Sequence, residues 1–190
     1  MASHDSRVTI HMAASLDGFI AREDGRVDWM EAGSEFAGGE ELDPDFVRAF
    51  LETIDCYVMG SWTYLTALDF EAKGLGWAYG DKPTFVLTSR ELAGTRESVE
   101  FYSGELKELF ETRLRPSYRN IWVAGGGQLA GECVRQSLAD EIRYSIVPVL
   151  IGQGITFFDV LDRDVRLRLL EVKAYKSGIV ALHHAIEPRA

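Results

Sequence analysis

The sequence predicts a three-layer α/β/α fold around a mixed, mostly parallel sheet of about eight strands, with antiparallel strands at the C-terminal end. Two observations carry that expectation. Between residues 44 and 138, short apolar strand-like runs alternate with helix-like segments, which implies parallel pairing with helices on both faces. From residue 141 onward the strand-like runs follow one another with no helix between them, which implies antiparallel pairing. The length of 190 residues fits one domain over 1–190, with a core spanning about residues 7–186. A chain of this size buries roughly 70% of its unfolded surface, enough for an apolar core.

Each element follows from local pattern. In residues 7–14, Val8, Ile10 and Met12 alternate onto one face, which reads as a strand. Residues 15–43 are rich in Gly, Asp and Glu and read as a long irregular connection, the kind that is functional or mobile in a compact domain. Residues 44–54 read as a helix capped by Asp43, with Pro44 in its first turn and Phe46, Ala49, Phe50 and Thr53 on one face. Residues 55–59 form a short apolar strand, and residue 61 opens another helix. Residues 83–88 and 98–102 are strands, and residues 104–114 are an amphipathic helix with Leu106, Leu109 and Phe110 inward. Residues 120–124 form a strand that runs into three glycines, and residues 127–138 form a helix. Residues 141–149, 166–175 and 179–186 are the late strands, and Pro148 suggests an edge or a bulge.

Composition narrows the function classes. Apolar residues make up 46% and charged residues 26%, ordinary values for a globular domain. No apolar run approaches the roughly 20 residues of a membrane helix, and the first seven residues do not resemble a signal peptide. Cys56 and Cys133 are the two cysteines; both sit in apolar runs without metal-ligand spacing, so no metal is expected and a reducing cytoplasm is the default compartment. The net charge of −10 repels nucleic-acid phosphates and anionic lipids, leaving a small-molecule substrate as the expected partner.

Three motifs carry the chemistry. Gly125, Gly126, Gly127, Gln128 and Leu129 join a strand to a helix; glycines there let a phosphate approach the backbone, and the helix N-terminus offers free N–H groups. Gly60, Ser61, Trp62 and Thr63 repeat that geometry, with helix capping by Ser61 as the structural alternative. Thr88, Ser89 and Arg90 leave a strand with two hydroxyls and a guanidinium, groups that clamp a phosphate monoester. All three lie at strand carboxyl ends, where ligands bind in open α/β sheets. Together they suit a dinucleotide with one extra phosphate, and the G-x-G-x-x-G fingerprint is absent.

The order of these motifs, after residues 15–21 (SLDGFIA) and before residues 138–143 (LADEIR) and 148–154 (PVLIGQG), resembles the dihydrofolate-reductase-like superfamily. Its closest branch is the C-terminal reductase domain of the bifunctional riboflavin-biosynthesis deaminase-reductase, a resemblance that covers about residues 7–186. The resemblance implies NADPH as hydride donor. Ala13 and Ile20 would lie near the nicotinamide, Gly60 to Thr63 along the adenosine side and pyrophosphate, Thr88, Ser89 and Arg90 at the 2′-phosphate, and Gly125 to Leu129 around the pyrophosphate. Many relatives carry Arg or Lys where this chain has Ser61, which leaves Arg90 as the main charge for that phosphate. The implied activity is a reductase similar to 5-amino-6-(5-phosphoribosylamino)uracil reductase or to dihydrofolate reductase. No H-x-E or P-C-x-x-C deaminase pattern occurs.

The proton source stays open at this level. Asp45 on the first helix and Asp17 beside the nicotinamide position are the candidate catalytic acids, with Asp28 or a bound water as alternatives. Asp28 and Trp29 are candidate substrate contacts from the long connection. The competing reading is a non-catalytic dinucleotide-binding module or a structural homodimer. A homodimer is expected in either case, with the apolar residues 149–158 as the contact surface.

Overall fold

The computed structural model describes residues 6–31, 33–92, 94 and 96–188. Its strands are β1 (Arg7–Ser15), β2 (Phe19–Ala21), β3 (Cys56–Gly60), β4 (Thr84–Leu87), β5 (Val99–Tyr102), β6 (Asn120–Gly125), β7 (Glu141–Val147), β8 (Ile155–Thr156), β9 (Leu167–Ala174) and β10 (Val180–Ile186). The helices are α1 (Pro44–Glu52), α2 (Ser61–Ala72), α3 (Leu106–Glu108), α4 (Arg115–Ser117) and α5 (Gly127–Arg135), with a π-helical stretch (Leu109–Leu114) joining α3 to α4. Eight strands form one sheet in the order β5-β4-β3-β6-β1-β7-β10-β9, and β2 pairs with β8 in a separate ribbon. Every pair from β5 to β7 is parallel, while β10 runs antiparallel to both β7 and β9. The mixed, mostly parallel sheet with antiparallel strands at the C-terminal end is therefore as expected.

The parallel half is covered on both sides, as βαβ connections require. On one face Val8, Ile10 and Met12 of β1 and Val123 of β6 pack under Leu109, Phe110 and Leu114, and under Leu129, Ala130 and Cys133 of α5. On the other, Tyr57 and Met59 of β3 and Val86 of β4 pack under Tyr64 of α2. β3 is buried through Met59 because it lies mid-sheet with helices on both sides. Arg115 ties the helical layer to the strand starts: it donates to the Ser6 and Leu138 carbonyls and to Asp140, which accepts the Val8 amide at 2.7 Å. Both cysteines are buried and unpaired.

Several local expectations need correction. Asp43 caps α1 by accepting the Asp45 amide, yet no α1 residue is buried and Phe46 is 52% exposed. The apolar stripe of α1 thus lies at the margin of the core. Pro148 marks neither an edge nor a bulge, because β7 lies between β1 and β10 and ends at Val147. α5 stops at Arg135, and Ser137 follows with φ 58°. Within residues 149–158, Phe157 is buried in the core and Ile155 pairs with Ala21, while Leu150 is 68% exposed.

His11 places a titratable ring within this sheet. The His11 ring stacks on Trp122 at 4.6 Å between centroids, its Nε2 lies 3.3 Å from the Ser145 hydroxyl, and its carbonyl accepts from the Trp122 indole. Burial, then the charges of Arg143 and His183, lowers its pKa from 6.5 to about 3. A folded pKa below the unfolded value means the unfolded chain takes up the proton first. The associated stability is complete above pH 6.5 and is lost as the pH falls toward 3. Thermal melts should show the wild type losing roughly 2–3 kcal/mol more than His11→Gln between pH 6.5 and 4. Parallel pH profiles for the two proteins would remove His11 as the cause.

Candidate active site

β3 and β6 are neighbours in the sheet, yet the helices that leave them diverge. α2 packs on one face with Tyr64, and α5 packs on the other with Ala130 and Cys133. Such a switch in winding opens a crevice at the strand carboxyl ends. A cavity of about 910 Å³ occupies it. Its lining crosses four consecutive strand ends, from Leu87 of β4 through Gly60 of β3 and Gly125 of β6 to Met12 and Ala13 of β1. At about 4.8 Å per strand, that is a span of roughly 14 Å.

The centre of this crevice is built for an anion. α2 starts after Gly60 and α5 after Gly126, and neither helix has a side chain capping its first turn. The expected capping by Ser61 does not occur. Two sets of unpaired helix N–H groups, each at the positive end of a helix dipole, therefore face one cavity. The glycines divide the work. A Cβ on Gly125 would strike Thr63, and one on Gly127 would strike the Thr156 carbonyl, so those positions are small for packing. A Cβ on Gly126 would meet nothing within 4 Å, so the chain keeps the space above Gly126 clear. The Gly125–Gly126 peptide is cis. The two helix N-termini and the open space above Gly126 fit the diphosphate of a dinucleotide.

Two lobes extend from this centre, one on each face of the sheet. The lobe along α5 and α3 is lined by Leu87, Leu106, Gln128, Leu129 and Glu132 and contains Arg135 and Asp159. Arg135 donates to the Val160 carbonyl and pairs with Glu132. The lobe along α2 is apolar, with Val27, Met30, Ala67, Phe70 and Ala78, and its polar side chains are Thr66 and Tyr79. Thr66 already donates to the Trp62 carbonyl. Tyr79 packs edge-on against Tyr57 and Trp77, at 4.8 and 5.1 Å. Burial, with Tyr57 adding to it, pushes the Tyr79 hydroxyl up to about 12, so it remains a protonated donor at neutral pH.

The cavity brings together Ala13, Ile20, Gly60, Ser61, Trp62, Thr63 and Gly125 to Leu129. Thr88, Ser89 and Arg90 stand just beyond Leu87; Thr88 accepts the Arg90 amide, and the Arg90 guanidinium lies over the exposed Trp62 ring at 5.7 Å. The four candidate substrate and catalytic residues lie outside the cavity lining. Asp17 turns away, accepting the Gly152 amide at 2.7 Å and the Ile151 amide at 3.1 Å. The Ser15 hydroxyl, then these amides, hold its carboxyl below the usual range, as befits a loop anchor. Asp45 is exposed on α1 and pairs with Arg48. Asp28 pairs with Arg22 and Arg26 in solvent. Trp29 is buried, and its neighbours Val27 and Met30 reach the cavity instead. Sequence reasoning missed Tyr79, although an aromatic pair, Trp77 and Tyr79, between Gly76 and Gly80 is an unusual connection and a usable signal.

Residues 6–181 match the family described as the RibD C-terminal domain. The chain is 32% identical over 186 residues to the uncharacterized protein YwjB of Bacillus subtilis, covering 95% of this chain and 98% of that one. It is 29% identical over 167 residues to the riboflavin biosynthesis protein RibD of Corynebacterium ammoniagenes, covering 78% of this chain and 45% of that protein. Among solved structures, a putative riboflavin biosynthesis protein from Shewanella sp. PV-4 superposes with a TM-score of 0.79 at 23% identity, over 96% of this chain and 99% of that one. RibD of Acinetobacter baumannii superposes with a TM-score of 0.66 at 16% identity, over 99% of this chain and 60% of that one. These two likenesses establish the shared fold, and the match over nearly the whole chain establishes the family: the protein belongs to the RibD C-terminal domain family of reductase-like α/β domains.

Proposed function

We propose that the chain is a cytoplasmic NADPH-dependent reductase acting on a carbonyl or imine carbon of a small molecule. The observation that carries this reading is the pair of uncapped helix N-termini meeting over Gly126. A reduced nicotinamide dinucleotide, when bound, supplies a hydride. The residues around it set position and solvent access. The first-turn amides of α2 and α5 hold the diphosphate, and Arg90 with Thr88 and Ser89 holds the additional phosphate beside Trp62. Ala13 and Ile20 flank the nicotinamide end. Val27 and Met30 exclude water from the α2 lobe, and Tyr79 offers its hydroxyl hydrogen to the heteroatom of the reacting bond.

Fluorescence quenching of the tryptophans tests the cofactor site, since Trp62 lines the cavity. NADPH should bind at least tenfold more tightly than NADH, and Arg90→Ala should erase that gap, worth about 1.4 kcal/mol. Gly126→Ala should weaken both dinucleotides at least tenfold with a melting temperature close to wild type. Gly127→Ala should instead lower the melting temperature. Failure of both dinucleotides to bind would end the reductase reading.

With turnover in hand, Tyr79→Phe should lower kcat/KM by roughly 10- to 100-fold while leaving the NADPH affinity unchanged. An unchanged kcat/KM would leave solvent as the proton source.

We further propose that a second copy of the chain covers β9. β9 is the edge strand, and Leu167, Leu169, Leu170 and Val172 are between 40% and 53% exposed. Leu170 is the extra residue of a bulge against β10. An antiparallel pair of β9 strands centred between Leu169 and Leu170 sets Leu167 against Val172 of the partner subunit and Arg168 against Glu171 of the partner subunit. Light scattering should report twice the 21.2 kDa chain mass. Arg168→Glu should shift the protein toward monomer, and adding Glu171→Arg should restore the dimer.

A further inference from the structure

Resting on the reductase reading above, we infer that the acceptor lobe takes an uncharged substrate and discriminates against one carrying a phosphate monoester. The cations that a phosphate needs are elsewhere or already paired. The α2 lobe is bounded by Val27 and Met30, by α2, and by Ala78 and Tyr79. Its lining from Val27, Met30, Ala67, Phe70 and Ala78 contains no Lys or Arg among the described residues.

The segment from residue 22 to residue 82 contains five basic side chains, and each has a partner. Arg22 donates to Asp28 at 2.6 Å, and Arg26 pairs with Asp24 and Asp28. Arg48 pairs with Asp45, and Lys73 lies 2.6 Å from Asp69. The Lys82 ammonium closes the C-terminal end of α1, donating to the carbonyls of Leu51, Glu52 and Ile54. A phosphate entering here would have to break one of these pairs or remain without a counter-charge, inside a protein of net charge −10. The groups suited to phosphate, the two helix N-termini and Arg90, belong to the cofactor side of the crevice.

What the lobe does offer is apolar area and the Tyr79 hydroxyl, since the Thr66 hydroxyl already donates to the Trp62 carbonyl. The apolar and aromatic lining suits a planar ring, and Tyr79 supplies a single hydrogen bond to its carbonyl or imine heteroatom. The reaction balances without further reagents: the C=O or C=N carbon gains a hydride, the heteroatom gains a proton, and the dinucleotide leaves oxidised. The substrate class is thus a neutral cyclic ketone, imine or conjugated heterocycle.

The test is calorimetric binding to protein saturated with NADP⁺, using 5-amino-6-ribosylaminouracil and ribityllumazine, each against its own 5′-phosphate. At least one neutral compound should bind at least tenfold more tightly than its phosphorylated counterpart. Ala78→Arg, at an exposed lining position, should shrink or reverse that gap without loss of NADP⁺ affinity. Equal or tighter binding of the phosphorylated compounds would overturn the inference, and so would binding of none of the four. Failure of NADP⁺ itself to bind is a separate result that removes the reductase reading first.

Discussion

The constraint on which the molecule depends is the divergence of two helices from adjacent parallel strands. β3 and β6 are hydrogen-bonded neighbours, so their carboxyl ends stand about 4.8 Å apart. β3 connects through α2 to β4 on one side and β6 through α5 to β7 on the other, so right-handed crossovers place α2 and α5 on opposite faces. That arrangement aims two helix N-termini at one point and leaves the space between them open. Glycine follows from the geometry. Gly125 has φ 153°, and Thr63 and Thr156 close in on Gly125 and Gly127, so side chains are excluded below the crevice. Above Gly126 the space stays open, with nothing within 4 Å of where a Cβ would stand.

The sheet itself is two materials joined at β7. Its parallel half is sealed by helices and contributes Val8, Ile10, Val58 and Val123, all fully buried. Its antiparallel half is amphipathic. Arg143, His183 and Glu141 share one face, with the His183 Nε2 2.8 Å from the Glu141 carboxylate. Tyr144 and Ile142 share the other face and join the core. Toward β9 that apolar face runs out of cover, because loop residues such as Phe157 and Phe158 end over Tyr144. A hydrophobic face on a terminal strand is a liability in a free monomer. It is also where net charge interferes least with association, since the charged groups of β9 lie on the opposite face.

Most of the fold was legible in the sequence, because each element obeys a short-range rule. The alternation of Val8, Ile10 and Met12, the cap at Asp43 and the inward set Leu106, Leu109 and Phe110 all depend on neighbours within a few residues. The two glycine turns at the crevice were legible for the same reason: strand, glycine and helix start are contiguous in sequence. The acids were not. Asp17 and Asp45 have suitable chemistry and suitable addresses, but their partners differ in kind. Asp45 is claimed by Arg48 three residues on, while Asp17 is claimed by Ile151 and Gly152, more than 130 positions away. No local pattern announces the second contact. Pro148 shows the reverse error: a rule about strand interiors was applied to a residue that lies one position past the strand.

The distribution of charge follows from the same geometry. For an acidic chain to hold an anion, attraction within the crevice must outweigh repulsion from the surface. Backbone amides at helix starts do this without adding formal charge, and they act only within the first turn. They therefore favour a phosphate at the centre and do nothing for a second anion several ångströms along α2. Side-chain cations have longer reach, but those of residues 22–82 are tied to nearby carboxylates or to the end of α1. The α2 lobe is left with an apolar lining. A lobe of that kind selects by shape and by the single donor it holds, which is how one family fold can keep its cofactor and change its substrate.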